Sequence, residues 1–420
     1  MGALWGDRDF LCLWGGETVS QFGAQVTQLA LPLAAVYQLD AGPAELGLLN
    51  AASYAPFLGL SLLIGVWVDR RARKPLMVWS NVARAVLVTS IPLCAVLDVL
   101  HIGYLYAVAF AIGTFTAIFD VSYQSYLPSL IAREHLVEGN SKLQASGSVA
   151  QVGGPALAGV LVGWLTAPIA LLVNGASYVV SVLGLTAIRR PEPEPERPEQ
   201  RTSVVRSIGE GLRLVFGNAY VRACALQAGT YNFCWMALQT VFVVYAARQL
   251  GLSSSTIGLL FALGALGSLL GAITAGAVKR RLGLGRAIVA EVLLCCLAPL
   301  LLPLAPGGAA GIAMMALGLF LGQLGATTAT IHVVSLRQAI TPARLLGRVN
   351  SGCRFLAWGP LPLGAFVGGV LGESIGLRPA LFAAACSFVL ALLWVVFSPV
   401  PRLTEFPDHP DSAPSKAPAA

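Results

Sequence analysis

Apolar residues gather along this chain into twelve stretches parted by short polar connections, near 10–36, 44–68, 75–97, 104–127, 144–166, 169–188, 221–247, 255–278, 286–305, 309–336, 345–372 and 379–397. A helix rising about 1.5 Å per residue crosses a hydrocarbon layer in roughly 20 residues, so each stretch is wide enough for one span. The stretches are too long and too uniformly apolar for the alternating pattern of a barrel strand, and inside lipid only helices or closed barrels satisfy the backbone. The pattern therefore predicts an all-α membrane protein.

The spans fall into two sets of six that repeat. Gly65-Val66-Trp67-Val68-Asp69-Arg70-Arg71 after the second span is echoed by Gly276-Ala277-Val278-Lys279-Arg280-Arg281 after the eighth. Asn140-Ser141 with Gly154-Pro155 and Gly159 is echoed by Asn350-Ser351 with Gly359-Pro360 and Gly364. Two echoes in the same order predict twelve transmembrane helices in two pseudo-symmetric six-helix halves, a plan that places a midplane site between two moving halves. Alternating Pro and charge at Pro191-Glu192-Pro193-Glu194-Pro195-Glu196 forbids both helix and packed core, which marks a linker. After it, Val204, Val205, Ile208, Leu212, Val215 and Phe216 recur near helical spacing, predicting an amphipathic helix that lies on the membrane surface or is solvated within the linker. The expected organisation is an N-terminal half at 1–188, a cytoplasmic linker at 189–217, a C-terminal half at 218–398 and a disordered cytoplasmic tail at 399–420.

Composition agrees with lipid as the solvent: 56% of residues are hydrophobic and 11% charged, with a mean hydropathy of +0.74. The net charge of +7 is distributed as a topology signal. Arg70, Arg71, Arg73 and Lys74, then Arg133 and Lys142, the run from Arg189 to Arg222, Lys279 to Arg286, and Arg337, Arg344 and Arg348 all occupy connections on one side. The other side offers Arg248 and Arg378. Short basic loops are retained in the cytoplasm, so both termini are expected there, and the charge does not argue for nucleic acid. Met1 to Phe10 lacks the apolar core and cleavage site of a secretory signal, so the first span is expected to remain. The eight cysteines show no CxxC spacing, so no metal or disulfide framework is expected. No GxxxxGK[ST] phosphate loop and no catalytic constellation are present; neither an enzyme nor a cofactor is expected, and energy must come from a gradient or a partner.

Ionisable side chains inside spans cost at least about 2.5 kcal/mol each at a helix centre, which makes Glu17, Arg84, Asp120, Glu291, His332 and Arg354 functional candidates. Arg84 and Asp120 lie at similar depth, roughly 12–14 Å from the basic boundary, so a buried Arg84–Asp120 pair is feasible. Glu291 and His332 lie near the basic ends of their spans, from which they reach the interface or Arg354. Glu17, Gln21, Gln25 and Gln28 share one face of the first helix at spacings of four, four and three. Gln227, Tyr231 and Gln239 on the seventh helix, and Gln323, Thr327 and Thr330 on the tenth, repeat the theme. Such stripes line a water-accessible cavity or form interhelical hydrogen bonds. Tyr54, Tyr123, Tyr231, Trp235 and Trp358 supply aromatic surface among these amides, which suits a bulky amphiphile. Glu17, facing such a cavity, is the preferred proton-coupling residue, with Asp120 and Arg84 as further candidates.

Gly65-x-x-x-Asp69-Arg70-x-x-Arg73-Lys74 resembles the signature that the major facilitator superfamily carries between helices two and three, with Ala72 where a Gly is usual. Phe119-Asp120-Val121-Ser122-Tyr123-Gln124-Ser125-Tyr126-Leu127-Pro128, Ser335-Leu336-Arg337-Gln338-Ala339-Ile340-Thr341-Pro342 and Leu346-Gly347-Arg348-Val349-Asn350 resemble the branch containing bacterial enterobactin and macrolide exporters. The resemblance implies that Gly65, Asp69, Arg70, Arg73 and Lys74 form a cytoplasmic latch, Asp69 capping a helix of the other half and Arg73 pairing with Asp120. The competing reading makes these cations topology determinants alone. Gly153-Gly154-Pro155-Ala156-Leu157-Ala158-Gly159 resembles the glycine-proline motif of helix five in antiporting exporters, where small residues and a bend make a flexible seam; plain small-residue packing is the alternative. The implied protein is a monomer in a bacterial-type plasma membrane, exporting a bulky amphiphilic small molecule in exchange for protons. Uptake by symport, and a non-transporting sensor or assembly protein on the same scaffold, are the alternatives.

Overall fold

The computed structural model describes residues 3–59, 64, 67–68, 71–132, 135–192 and 204–403. Its elements are α1 (Arg8–Gln38), α2 (Pro43–Gly59), α3 (Arg73–Val96), α4 (Ile102–Leu130), α5 (Leu136–Leu165), α6 (Ala167–Ala187), α7 (Val204–Gly217), α8 (Ala219–Val244), α9 (Ser254–Leu282), α10 (Leu284–Leu297), α11 (Gly308–Ile340), α12 (Ala343–Trp358), α13 (Leu361–Ile375) and α14 (Leu377–Val396). Short turns extend α8 to Gln249 and α10 to Leu304. With α12 and α13 counted as one crossing, nine segments of the described residues are long and apolar enough to span a membrane. The polar stripes of α1 and α8 interrupt their apolar runs, and α2 is described over 17 residues. Counted with these three, the described helices are consistent with the twelve expected crossings.

Helix boundaries follow local chemistry. Asp7 accepts from the backbone N–H groups of Asp9 and Phe10 at 3.0 and 3.1 Å and starts α1; Asn218 and Ser253 do the same for α8 and α9. The two glycine-proline repeats behave differently. Pro155 sits inside a continuous α5, whereas the chain breaks between α12 and α13 at Gly359-Pro360.

The two halves share a packing plan. In the first, α1 packs on α5 and α6, and α4 on α2 and α3; in the second, α8 packs on α13 and α14, and α11 on α9 and α10. The halves meet along two related seams, α2 with α13 and α5 with α9. Outward-facing apolar side chains such as Trp79, Val96, Trp164 and Ile273 are exposed, as expected of a surface solvated by acyl chains.

Two expectations about the flanks are refined. One face of α7 is covered by protein, because its small-residue side finds a surface on α12, while Arg213 and Phe216 on the same helix stay exposed. A Cβ on Gly352 would stand 2.8 Å from the Gly211 carbonyl carbon, Val215 is buried with Val349 and Cys353, and Glu210 pairs with Arg348 at 3.2 Å. The chain after residue 398 is also partly ordered: Val400–Arg402 form a turn, Val400 is buried, and Leu403 accepts from Gly285 N–H at 2.9 Å. The remainder of the expected tail lies outside the described residues.

Candidate functional site

Between the halves lies a cavity of about 200 Å³. Helix α1 contributes Gln25 and Gln28 to its wall, α8 contributes Trp235 and Gln239, and α11 contributes Gln323. An adjoining chamber of about 240 Å³ shares Gln25, Gln28, Asn50 and Tyr54 with the first. Beyond Phe57, a third space of about 200 Å³ is walled by Asp120, Arg354 and Trp358. Three further polar wall residues are Asn50, Gln151 and Ser268. Gln151 continues a helical face with Gln144 and Ser148 at spacings of four and three, and Asn50 shares one with Ser53 and Tyr54, so the same periodicity that marked α1 could have found both; Ser268 stands alone among apolar neighbours.

The other expected cavity residues are placed elsewhere. Tyr231 packs edge-on against Phe388, ring centroids 5.1 Å apart, and Gln227 is buried on the same side of α8. At about 100° per residue, Gln227 lies about 120° around the helix from Gln239, so the stripe winds off the cavity face. Thr327 stands behind the wall, donating to Ser268 Oγ at 3.0 Å. Thr330 is exposed and donates to the Ala326 carbonyl one turn back. Tyr123 stacks on Phe119, its hydroxyl buried without a protein partner. Trp358 belongs to the third space, where the Arg354 guanidinium lies 5.2 Å from its ring centroid.

Glu17 sits on the cavity helix one turn from Gln21, whose amide donates to it at 3.1 Å. Its other carboxyl oxygen is buried with no partner. The charges of Arg84 and Asp120 reach it. The expected Arg84–Asp120 pair does not form. The Arg84 guanidinium instead lies between the rings of Phe119 and Tyr178, each centroid 4.5 Å away, and donates to Asn81 and Thr116. Flat aromatic faces on both sides attract a weakly hydrated cation and stand where a carboxylate partner was expected. Asp120 is left half-buried in the wall of the third space.

Arg73 does not pair with Asp120 either. The Glu192 carboxylate accepts from the backbone N–H groups of Arg73 and Lys74 at 2.7 and 3.0 Å and lies 3.7 Å from the Arg73 guanidinium. The open amides at the start of α3 bind the nearest available anion, at the head of the linker. Lys74 Nζ donates to the Ile188 carbonyl at 2.7 Å. Gly65, Asp69 and Arg70 lie outside the described residues.

The helix-five glycines occupy a close seam. A Cβ on Gly159 would lie 2.7 Å from the Ser254 carbonyl oxygen and 3.0 Å from Gly258 Cα. Gly154 backs onto Gln25, and Pro155 faces the cavity. Near the same end, Asn50 donates to Thr240 at 3.1 Å, Arg248 pairs with Asp40 at 2.6 Å, and Gly47 meets Gly369 backbone to backbone. These contacts close one end of the space between the halves. In the C-terminal half, Glu291 and His332 pair with each other at 2.9 Å, not with Arg354 or the interface.

The sequence profile of the Major Facilitator Superfamily matches residues 13–357. The chain belongs to the Major Facilitator Superfamily. Among its relatives in this superfamily, the multidrug efflux pump Tap of Mycolicibacterium fortuitum is 24% identical, the match covering 91% of this chain and 93% of Tap. The enterobactin exporter EntS of Citrobacter koseri is 25% identical, covering 86% and 85% of the two chains. A solved bacterial homologue of the iron transporter ferroportin, in its inward-facing state, superposes with a TM-score of 0.76 at 18% identity, covering 94% of this chain and 99% of that one. The outward-facing state of the ferroportin homologue gives a TM-score of 0.58. This superfamily member is thus a multi-pass membrane transporter with efflux pumps among its relatives.

Proposed function

We propose that the protein exports a bulky amphiphilic small molecule from the cytoplasm by proton antiport, the two halves rocking around the central cavity. The observation that carries this reading is the amide- and aromatic-lined space between the halves, closed by the α2–α13 and α5–α9 seams at the end away from the arginine-rich connections. Amides and flat rings recognise a large molecule with both apolar and hydrogen-bonding surface. The efflux relatives support the outward direction, and the positive-inside distribution supports cytoplasmic termini, with the described state open to the cytoplasm. Glu17 is the coupling residue: one buried oxygen lacks a protein partner, and its helix runs on into the cavity wall. Asp120 and Arg84 shape its field. Asp69, with Arg73 and Lys74, latches the cytoplasmic side in the opposite state. The transporter works as a monomer in a bacterial-type plasma membrane.

Inside-out vesicles with an acidic interior test this directly. Siderophores, macrolides and lipophilic cations are added in turn, and protein-dependent collapse of the pH gradient is expected for one class. Glu17→Gln is expected to reduce that collapse to the level of empty vesicles while substrate exchange persists. Substrate accumulation in right-side-out vesicles driven by an inward proton gradient would instead establish symport.

A further inference from the structure

The pair formed by Glu291 on α10 and His332 on α11 takes no part in the cavity, yet it is among the most deeply placed ionisable groups of the molecule, 5% and 3% exposed. Its hydrogen bonds can be counted. His332 Nδ1 lies 2.9 Å from Glu291 Oε2, and Nε2 lies 3.2 Å from the Ala275 carbonyl oxygen on α9. A carbonyl only accepts, so Nε2 must carry a hydrogen. The contact at Nδ1 then needs a second one, either on the ring facing a carboxylate or on a carboxylic acid facing the ring nitrogen. Both arrangements hold one more proton than a carboxylate beside a neutral imidazole. Without it, one contact sets two lone pairs against each other. The second carboxyl oxygen, Oε1, is buried with no partner, a position less costly for a neutral acid or a neutralised pair than for a lone carboxylate.

We propose that Glu291 and His332 together form a proton-binding site in the interior of the C-terminal half, and that the bound proton closes the contact joining α9, α10 and α11. The ionisable groups carried by the elements packed around it are Cys295, within reach of Glu291, and Cys296 on α10, and, toward the arginine-rich end, Lys279, Arg280 and Arg281 on α9, Arg286 on α10, Arg337 on α11 and Arg402 in the turn after α14; α14 itself carries Arg378 at its far end and Cys386. The proton leaves to solvent base at alkaline pH, and the three-helix contact loosens as it does. Nothing in this depends on the substrate or direction of transport.

Glu291→Gln separates the proposal from plain packing, because a carboxamide donates permanently to Nδ1 while Nε2 keeps its bond to Ala275, with no additional proton. Thermal unfolding of the purified full-length protein from neutral to alkaline pH is expected to show the native midpoint falling by several degrees and the Glu291→Gln midpoint staying level. Parallel falls, or two level profiles, overturn the site. Should Glu291→Gln fail to fold, ¹⁵N NMR of a chain retaining only His332, with His101, His135 and His409 replaced, decides the matter. Both ring nitrogens protonated or hydrogen-bonded at neutral pH, with a change on the alkaline side, is the expected result; a bare imine nitrogen at neutral pH overturns it.

Discussion

In the N-terminal half the Arg84 cation is held by the rings of Phe119 and Tyr178, and the Asp120 carboxyl stands free in the wall of an open space. The equivalent positions of the C-terminal half, 207 and 212 residues further on, carry Glu291 and His332, which are bonded to each other and shut away. The order of charge along the repeat is reversed, and so is the outcome. One copy of a duplicated scaffold leaves its Asp120 carboxyl in the wall of a space between the halves. The other copy spends its acid on its own base, which ties three helices together. The lesson is that duplication kept buried charge on corresponding helices while the neighbours decided whether each charge faces an open space or binds a partner of its own.

The comparison can be broken most forcefully at His332. His332→Ala leaves Glu291 buried without a partner, and a loss of about 3–5 kcal/mol in unfolding free energy is expected, read by denaturation in detergent. Arg84→Gln removes a cation from between two rings, where such contacts are worth up to about 2 kcal/mol when desolvated, so an intermediate loss is expected by the same measurement. Asp120→Asn should change stability by less than about 1 kcal/mol, since the carboxyl has no ion-pair partner, while altering substrate movement in vesicles. A stability loss at Asp120 equal to that at His332 would erase the distinction between the halves. The smallest effect is expected at Asp9, whose carboxylate accepts from Arg189 and Arg190 N–H at 3.0 and 3.1 Å. The Arg189 amide, chiefly, holds Asp9 below the ordinary carboxylate range. Its contribution is therefore present above that range and lost as pH falls through the lowered value. Asp9→Asn should differ slightly from the native chain at neutral pH, and the difference should vanish in acid.

Much of the architecture was legible because spans, loop charges and the repeat are all local patterns. Of the stripe on α1, Gln25 and Gln28 line the cavity, while Gln21 and Glu17, one and two turns back along the same face, bond to each other. Steps of four and eight on α8 do not return to one azimuth, which is why Gln227 and Tyr231 point into the half itself. Counting residues from a helix end gives depth but not direction. Arg84 and Asp120 could thus be set at one level without any sign that Phe119 and Tyr178 would take the cation. The partner of Arg73 was hidden for another reason: Glu192 looked like linker, and an acid at the end of one helix binds the amides at the start of another only once the fold brings them together.

That anchorage has a mechanical meaning. Glu192 is fastened to the N-terminal half, and α7, resuming at Val204, is fastened to α12 of the C-terminal half. Twelve peptide steps connect the two anchor points, and covalent geometry limits their reach to about 40 Å whatever path they take. That covalent length is an upper bound on how far Glu192 and Val204 can part, and with it on the widest gape the two halves can adopt while both knots hold.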